Sequence, residues 1–255
     1  MSAADRREEI AAYVVERGEV RIDDLAQAFG VSRMTIHRHV EELARQGLLR
    51  KLHGSVSASP SGVYESLWRY RQNRETLAKS ALARAALAEI QPGQAIMLDD
   101  STTASALAPY LAASGPLTVA TNSLGLMQDL AGQQGIELIA LGGEYHPTYN
   151  AFIGTICETT IASLRVNLAI CSASAISGEV ALIQDARVTR VKQAMLAAAS
   201  RRILLVDASK FDKIALHRFA ALQEFDAVYS NAALSPATAG ALRAAGIPLT
   251  LVSDQ

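Results

Sequence analysis

The sequence predicts two folded parts in tandem: a small N-terminal winged helix-turn-helix, then a larger α/β domain with a doubly wound, largely parallel sheet. Three observations carry this. Residues 22 to 43 hold two short amphipathic segments separated by a glycine and a serine, followed by a hairpin pattern of alternating apolar and basic residues. From residue 75 onward, short continuous apolar runs alternate with helical patterns, as in a parallel sheet covered on both faces. Between them, Ser57-Ala58-Ser59-Pro60-Ser61-Gly62 is small, polar and broken by proline, the chemistry of a loop.

The first amphipathic helix is Ile22-Asp23-Asp24-Leu25-Ala26-Gln27-Ala28-Phe29, closed by Gly30, a residue that tolerates the left-handed backbone of a helix end. Ser32 restarts the chain as an N-cap. In the second helix Ile36, Val40 and Leu43 recur at helical spacing and face inward, while Met34, Arg38 and Glu41 face away with Thr35 and His37 on the flanks. A polar face bearing an arginine suits the major groove, so duplex DNA is the first partner implied. Thr35, His37 and Arg38 are expected at base edges, with Ser32 and Arg33 positioning the helix N-terminus. Leu48 to Val56 alternates apolar and basic residues through Gly54, a wing that puts Arg50, Lys51 and His53 at phosphate height.

The bulk numbers restrict the alternatives. In 255 residues the formal net charge is −1, which argues against a protein coating nucleic acid along its whole surface. The basic excess between Arg33 and Lys51 is local, so DNA contact is local too. The two cysteines, Cys157 and Cys171, sit in apolar segments without metal-ligand spacing and read as small core residues, so neither disulfide, metal site nor cofactor is expected. There is no signal-peptide pattern and no run of roughly 18 apolar residues that would span a membrane, so a cytoplasmic location away from membranes is expected.

The boundaries implied are a DNA-binding domain over 1–56, a linker over 57–74 and an effector domain over 75–255. Within the linker, Tyr64 to Arg74 is rich in arginine and aromatics and is expected to pack on the large domain; the alternative is contact with DNA or a partner subunit. In the large domain, helices are expected over 76–90 and 102–113. Strands are expected over 95–99, 117–121, 136–141, 168–172, 203–207 and 227–230. Ligands of open α/β sheets sit at the carboxyl ends of strands, where this chain carries Asp99-Asp100-Ser101-Thr102-Thr103, Thr121-Asn122, Gly142-Gly143 and Asp207-Ala208-Ser209-Lys210. Hydroxyls at a helix start, paired glycines and Lys210 suit a phosphate-bearing ligand.

Together these residues resemble the DeoR family of bacterial transcriptional regulators over nearly the whole chain. The winged helix is similar through Leu25-Ala26, Phe29, Val31-Ser32, Thr35-Ile36, Arg38, Leu48-Leu49 and His53-Gly54. The sensor is similar through Asp99 to Thr103, Thr121-Asn122, Gly142-Gly143, Gly154, Lys192 and Asp207 with Ser209-Lys210-Phe211. The resemblance implies a repressor of a carbohydrate-metabolism operon, released by a phosphorylated sugar or related metabolite, with Lys192 as a second cation at that site. His37 and His39 stand where the family often has arginine and aspartate, Ser101 where a glycine is common, Asn167 for a frequent aspartate, and Ser230-Asn231 for a Thr-Asp pair.

The family's sensor resembles ribose-phosphate isomerases, so a sugar-phosphate isomerase is one rival and a sensor whose winged helix contacts protein is another. Isomerisation needs a carboxylate beside the reacting carbons. Where those isomerases carry an acidic cluster, Cys171-Ser172-Ala173-Ser174-Ala175-Ile176-Ser177-Gly178 has no carboxylate before Glu179, so no turnover is expected, with Asp99 and Asp100 left as the possible bases. Two-fold operators are read by paired domains, so a homodimer or tetramer is expected.

Overall fold

The computed structural model describes residues 3–45, 48–58 and 67–253. Its contacts divide the chain into two compact units, Met1–Arg71 and Gln72–Gln255.

The first unit comprises α1 (Ala3–Arg17), β1 (Glu19–Arg21), α2 (Ile22–Phe29), α3 (Arg33–Arg45), β2 (Leu49–Lys51) and β3 (Ser55–Ala58), and α4 (Trp68–Gln72) begins in it. Its core joins Ile10, Ala11 and Val14 of α1 to Leu25 of α2, Ile36, Val40 and Leu43 of α3, and Val56 of β3. The wing is antiparallel with strand order β1-β3-β2, Val20 opposite Val56 and Arg50 opposite Ser57. Strand β3 carries the wing two residues past Val56. Sequence periodicity missed α1 and β1: a three-residue strand is too short to show a period, and β1 exists because β3 pairs with it.

One expectation changes here. Leu67 and Tyr70 pack against the N-terminal core, so the described part of the 64–74 segment up to Arg71 belongs to the winged unit, while Gln72 to Arg74 open the second unit; Tyr64 to Ser66 lie outside the described residues. His39 is buried on the inner face of α3 beside Val40.

The second unit opens with α5 (Thr76–Ala86), β4 (Ala95–Leu98), α6 (Thr102–Ser105), α7 (Ala108–Leu111), β5 (Leu117–Thr121), α8 (Leu124–Leu130) and β6 (Ile136–Ala140). It continues through β7 (Glu144–His146), β8 (Ala151–Ile153), α9 (Thr155–Ala162), β9 (Val166–Cys171), β10 (Ala175–Ser177), β11 (Val180–Ile183) and α10 (Ala186–Ala198). Strands β12 (Ala199–Leu205), β13 (His217–Ala221) and β14 (Ala227–Asn231), helix α11 (Pro236–Ala244) and strand β15 (Leu249–Val252) complete it. The main sheet has seven strands in the order β15-β14-β12-β9-β4-β5-β6, and every pairing in it is parallel.

Alternation along the strands builds one core on each face. Ile96 and Leu98 point with Ile203 and Leu205 into a core shared with Leu82 of α5, Leu111 of α7 and Leu126 of α8. Met97 and Leu204 point into the other, with Ile161 of α9, Val191 and Met195 of α10 and Leu242 of α11. This is the doubly wound α/β arrangement expected. Strand order reverses between β4 and β9, which places a ligand crevice outside their carboxyl ends.

The structure adds elements that periodicity did not reveal: β15, the β7–β8 hairpin, and an antiparallel sheet β10-β11-β13. The helix expected over 102–113 is divided into α6, α7 and a 3-10 turn, with Pro109 in the first turn of α7, where its missing N–H costs nothing.

Candidate functional site

In the winged unit, Gly30 takes the left-handed conformation at φ 61°, and the chain turns tightly enough for Val31 N–H to donate to Ala26 O at 3.1 Å. Ser32 Oγ then accepts from Thr35 N–H at 3.2 Å and lies 3.0 Å from Thr35 Oγ1, so it caps α3 and holds the Thr35 hydroxyl. Arg33, Met34, Arg38 and Glu41 are exposed along α3, with Thr35 and His37 half-buried beside them. Arg50 and His53 are exposed on the wing. Two of the expected DNA-contacting cations already have partners: Arg33 Nε lies 2.8 Å from Asp23 Oδ1, and Lys51 Nζ lies 3.1 Å from Glu41 Oε1. Exposed pairs contribute about 0–1 kcal/mol, so phosphate oxygens can compete for both cations. His39, enclosed in the same helix, has its pKa lowered by burial and then by Arg38, Arg7 and Arg6.

In the sensor unit Asp99, Asp100, Ser101, Ser172 and Lys192 meet at the topological switch. Asp99 is fully buried, and both its oxygens are used: Oδ1 accepts from Ser101 N–H at 3.0 Å and from the Ser101 hydroxyl, while Oδ2 accepts from Ser172 N–H at 2.8 Å and from Lys192 Nζ. The Asp99–Ser172 bond thus ties the end of β4 to the end of β9. Lys192, on α10, is not solvated as helical lysines usually are. Its side chain is 4% exposed, and Nζ also lies 3.3 Å from both Asp100 Oδ1 and the Ser172 carbonyl. Burial opposes its charge, but Asp100 and Asp99 outweigh that and hold the pKa above the usual lysine value. Lys192 is therefore held by Asp99 and Asp100.

Ser101 is likewise committed, donating to Asp99 and accepting from Ala104 N–H at 3.0 Å as the cap of α6. Thr102 and Thr103 are buried in the first turn of α6. Thr121 Oγ1 accepts from Ser123 N–H at 3.1 Å, and Asn122 fastens to β8 by donating Nδ2 to Phe152 O at 3.0 Å and accepting from Phe152 N–H at 2.8 Å. The paired glycines differ. A Cβ on Gly143, at φ 142°, would lie 2.5 Å from Ile153 O, so this glycine admits the close approach of β8; a Cβ on Gly142 would meet nothing within 4 Å. Lys210 ends a 3-10 turn just beyond β12 and is half-buried.

Further polar residues stand at the neighbouring strand ends. Asp207 repeats the Asp99 device at the end of β12, its Oδ1 accepting from Ser209 N–H at 3.0 Å and from the Ser209 hydroxyl. The shared Asp-x-Ser pattern at two strand ends was a readable signal. Asn231, ending β14, accepts from Ala208 N–H at 2.7 Å. His146 lies at the end of β7, its Nε2 3.8 Å from Asp185 Oδ2; burial lowers its pKa, Asp185 opposes that, and Arg187 adds to the lowering. Among the described residues of this unit, the buried side-chain atoms without a hydrogen bond are Asp100 Oδ1, Asn122 Oδ1, His146 Nδ1, Asp207 Oδ2 and Ser230 Oγ. All belong to strand ends or to the hairpin after β6. Buried polar atoms left unsatisfied cost about 1–3 kcal/mol each, so their concentration at one edge points to a place for a polar ligand.

Both cysteines are buried and unpaired in disulfides, the Cys157 thiol pushed up to about 12 by burial and that of Cys171 also raised by burial, as suits inert core residues. A surface cleft of about 410 Å³ lined by Gln193, Leu196, Arg202, Arg218, Phe219 and Glu224 lies beside β13 and the first half of β12. Gln193 and Arg202 there donate to the carbonyls of Phe219 and Leu196, both at 3.0 Å. Among the described residues no group of metal-ligating side chains forms, and no helix is long and apolar enough to cross a membrane.

A winged helix-turn-helix followed by a doubly wound sheet with a polar strand-end site defines a class of two-part transcriptional regulators. The sequence matches the DeoR-like helix-turn-helix domain over residues 6–61 and the DeoR C terminal sensor domain over residues 74–232. The chain is 31% identical to the L-fucose operon activator of Haemophilus influenzae, over 90% of this chain and 92% of that protein. It is 30% identical to the glycerol-3-phosphate regulon repressor of Escherichia coli K12, over 91% and 92%. The ribose 5-phosphate isomerase A structure from Methanocaldococcus jannaschii aligns with 55% of each chain at 18% identity and a TM-score of 0.39. The chain belongs to the DeoR family of transcriptional regulators.

Proposed function

We propose that this regulator binds a two-fold operator as a homodimer or tetramer in the cytoplasm, represses a carbohydrate-metabolism operon, and is released when a phosphorylated sugar or related metabolite occupies the strand-end site. The observation that carries this is the row of buried polar groups across the ends of β4, β5, β12 and β14, centred on the Asp99–Ser172 bridge at the topological switch. The phosphate falls to Thr102, Thr103 and Lys210 at the ends of β4 and β12, while Asp100 and Asn122 present acceptors to ligand hydroxyls. Gly142 lines the same edge.

The site is for sensing and not for turnover. Glu179, the first carboxylate after β9, lies in the exposed turn between β10 and β11 and accepts from Gln223. The ligand weakens operator binding through its preference for one subunit arrangement, and a coupling of about 1–3 kcal/mol corresponds to roughly five- to 150-fold release.

Calorimetry of the full chain against pentose and hexose phosphates, with Thr102→Ala and Lys210→Ala variants, tests this. The parent should bind one phosphate ester below millimolar concentration, and the variants should retain operator binding but lose the response. Binding of the unphosphorylated sugar alone would overturn the phosphate assignment.

A further inference from the structure

Helix α3 carries an exposed apolar side chain that the polar picture of DNA recognition leaves unexplained. Met34, the second residue of α3, is 78% exposed. Among the described residues of the winged unit, the only other exposed large apolar side chain is Leu52 at the wing tip, at 37%. Met34 does not serve the core, which takes Ile36, His39, Val40 and Leu43 from the opposite side of the helix. It shares the solvent face with Arg38 and Glu41, at intervals of four and seven residues.

Arg33 precedes Met34 on α3 and Arg38 lies one turn further along, while Arg50, Lys51 and His53 are on the wing, which meets α3 through Lys51 and Glu41. An apolar side chain on a face that also carries cations fits a polyanion carrying an apolar group among its recognised edges. The major groove of DNA offers one such group, the thymine 5-methyl; every other recognition group on its base edges is a hydrogen-bond donor or acceptor. A methionine, unbranched and flexible, can follow the methyl without demanding one rotamer.

We propose that Met34 reads the methyl of a thymine in each operator half-site, next to the base contacted by Arg38. The four-residue interval spans about 6 Å along α3, so the thymine lies within about two base pairs of the Arg38 contact. Met34 therefore sets sequence preference by apolar contact where Arg38 sets it by hydrogen bonds.

Replacement of thymine by uracil, which deletes only the methyl, is the direct test. High-affinity duplexes are selected from a random pool by the full-length protein, and each thymine is then changed singly to uracil. One position per half-site should lose about fourfold in affinity for the parent protein, the equivalent of one buried methyl. Met34→Ala should bind the parent duplex several-fold more weakly and show no further loss at that position, whereas Met34→Leu should keep part of the sensitivity. The exposure of Met34 leaves folding intact, which the circular dichroism melt of each variant verifies.

Equal uracil sensitivity in the parent and in Met34→Ala would overturn the proposal. So would an equal loss by Met34→Ala on selected and random duplexes, because that marks a backbone contact. A parent protein that retains no duplex at all would instead count against the DNA-binding function on which this inference rests.

Discussion

Replacing Lys192 by methionine removes the cation that faces Asp99 and Asp100 among the described residues while keeping the length and apolar stem of the side chain. Breaking one side of a buried ion pair typically costs about 3–5 kcal/mol, because the surviving charge is left uncompensated. Asp99 retains three other donors, from Ser101 N–H, the Ser101 hydroxyl and Ser172 N–H, so its loss is softened. Asp100 Oδ1 has no hydrogen bond and loses its neighbouring cation at 3.3 Å. The lower end of the range therefore applies, about 3 kcal/mol, and for a unit of this size each kcal/mol lowers the melting midpoint by about 2–4 °C, or about 6–12 °C in all. Calorimetry reads the sensor transition, while Trp68, the single tryptophan and part of the other unit, reports the winged helix by fluorescence. The calorimetric transition should fall and the Trp68 transition should stay. Because the folded pKa of Lys192 is raised, its contribution is fully present below its ordinary value of 10.5 and is lost only as pH rises through the folded value. The deficit should accordingly be flat between about pH 6 and pH 9. Adding Asp100→Asn to Lys192→Met should restore more than half of the loss, since it removes the uncompensated charge. A midpoint within about 2 °C of the parent, or no recovery in the double variant, would refute the reasoning.

Three further outcomes follow from the geometry. Gly143→Ala should destabilise the sensor by more than about 1 kcal/mol because its Cβ would strike Ile153 O, whereas Gly142→Ala, with open space, should stay within about 0.5 kcal/mol; denaturant titration compares them. His39 has a depressed pKa, so its contribution to winged-helix stability is present above its ordinary value of 6.5 and is lost as pH falls through the folded value. Trp68-monitored unfolding should show that loss in the parent and a flatter profile in His39→Gln. Arg38→Ala should cost about 1–3 kcal/mol of discrimination between selected and random duplexes, while Lys51→Ala should weaken both alike and flatten the salt dependence; binding isotherms at several salt concentrations separate the two.

The strand-end site was only partly legible in the sequence. Asp99 to Thr103, Thr121-Asn122 and Gly142-Gly143 can be found because each follows an apolar run directly, and a strand end is a local event in the chain. Asp207 carried the same Asp-x-Ser signature as Asp99 and was equally readable. His146 had no such marker: it ends a three-residue strand whose partner, β8, is too short to declare itself by alternation. The eight residues expected at DNA lie in the Ser32 cap, helix α3 and the wing, because helical spacing and a turn glycine fix that geometry within a few residues.

Periodicity of 3.6 or 2 residues is a property of neighbouring side chains, and so the sequence by itself determined the winged helix-turn-helix, the parallel sheet covered on both faces, and the strand ends at which polar residues gather. What each polar residue does there depends on partners distant in the chain. Lys192 and Asp99 are 93 residues apart, and only the packing of α10 against the crossing from β4 to β9 brings them into contact. Over shorter separations, Arg33 with Asp23 and Lys51 with Glu41 also pair across elements, a basic residue being held by an acidic one on another element. Local pattern specifies which face a side chain takes; tertiary structure decides which charges meet, because a salt bridge or a buried hydrogen bond is set by distance in space and leaves no period in the chain.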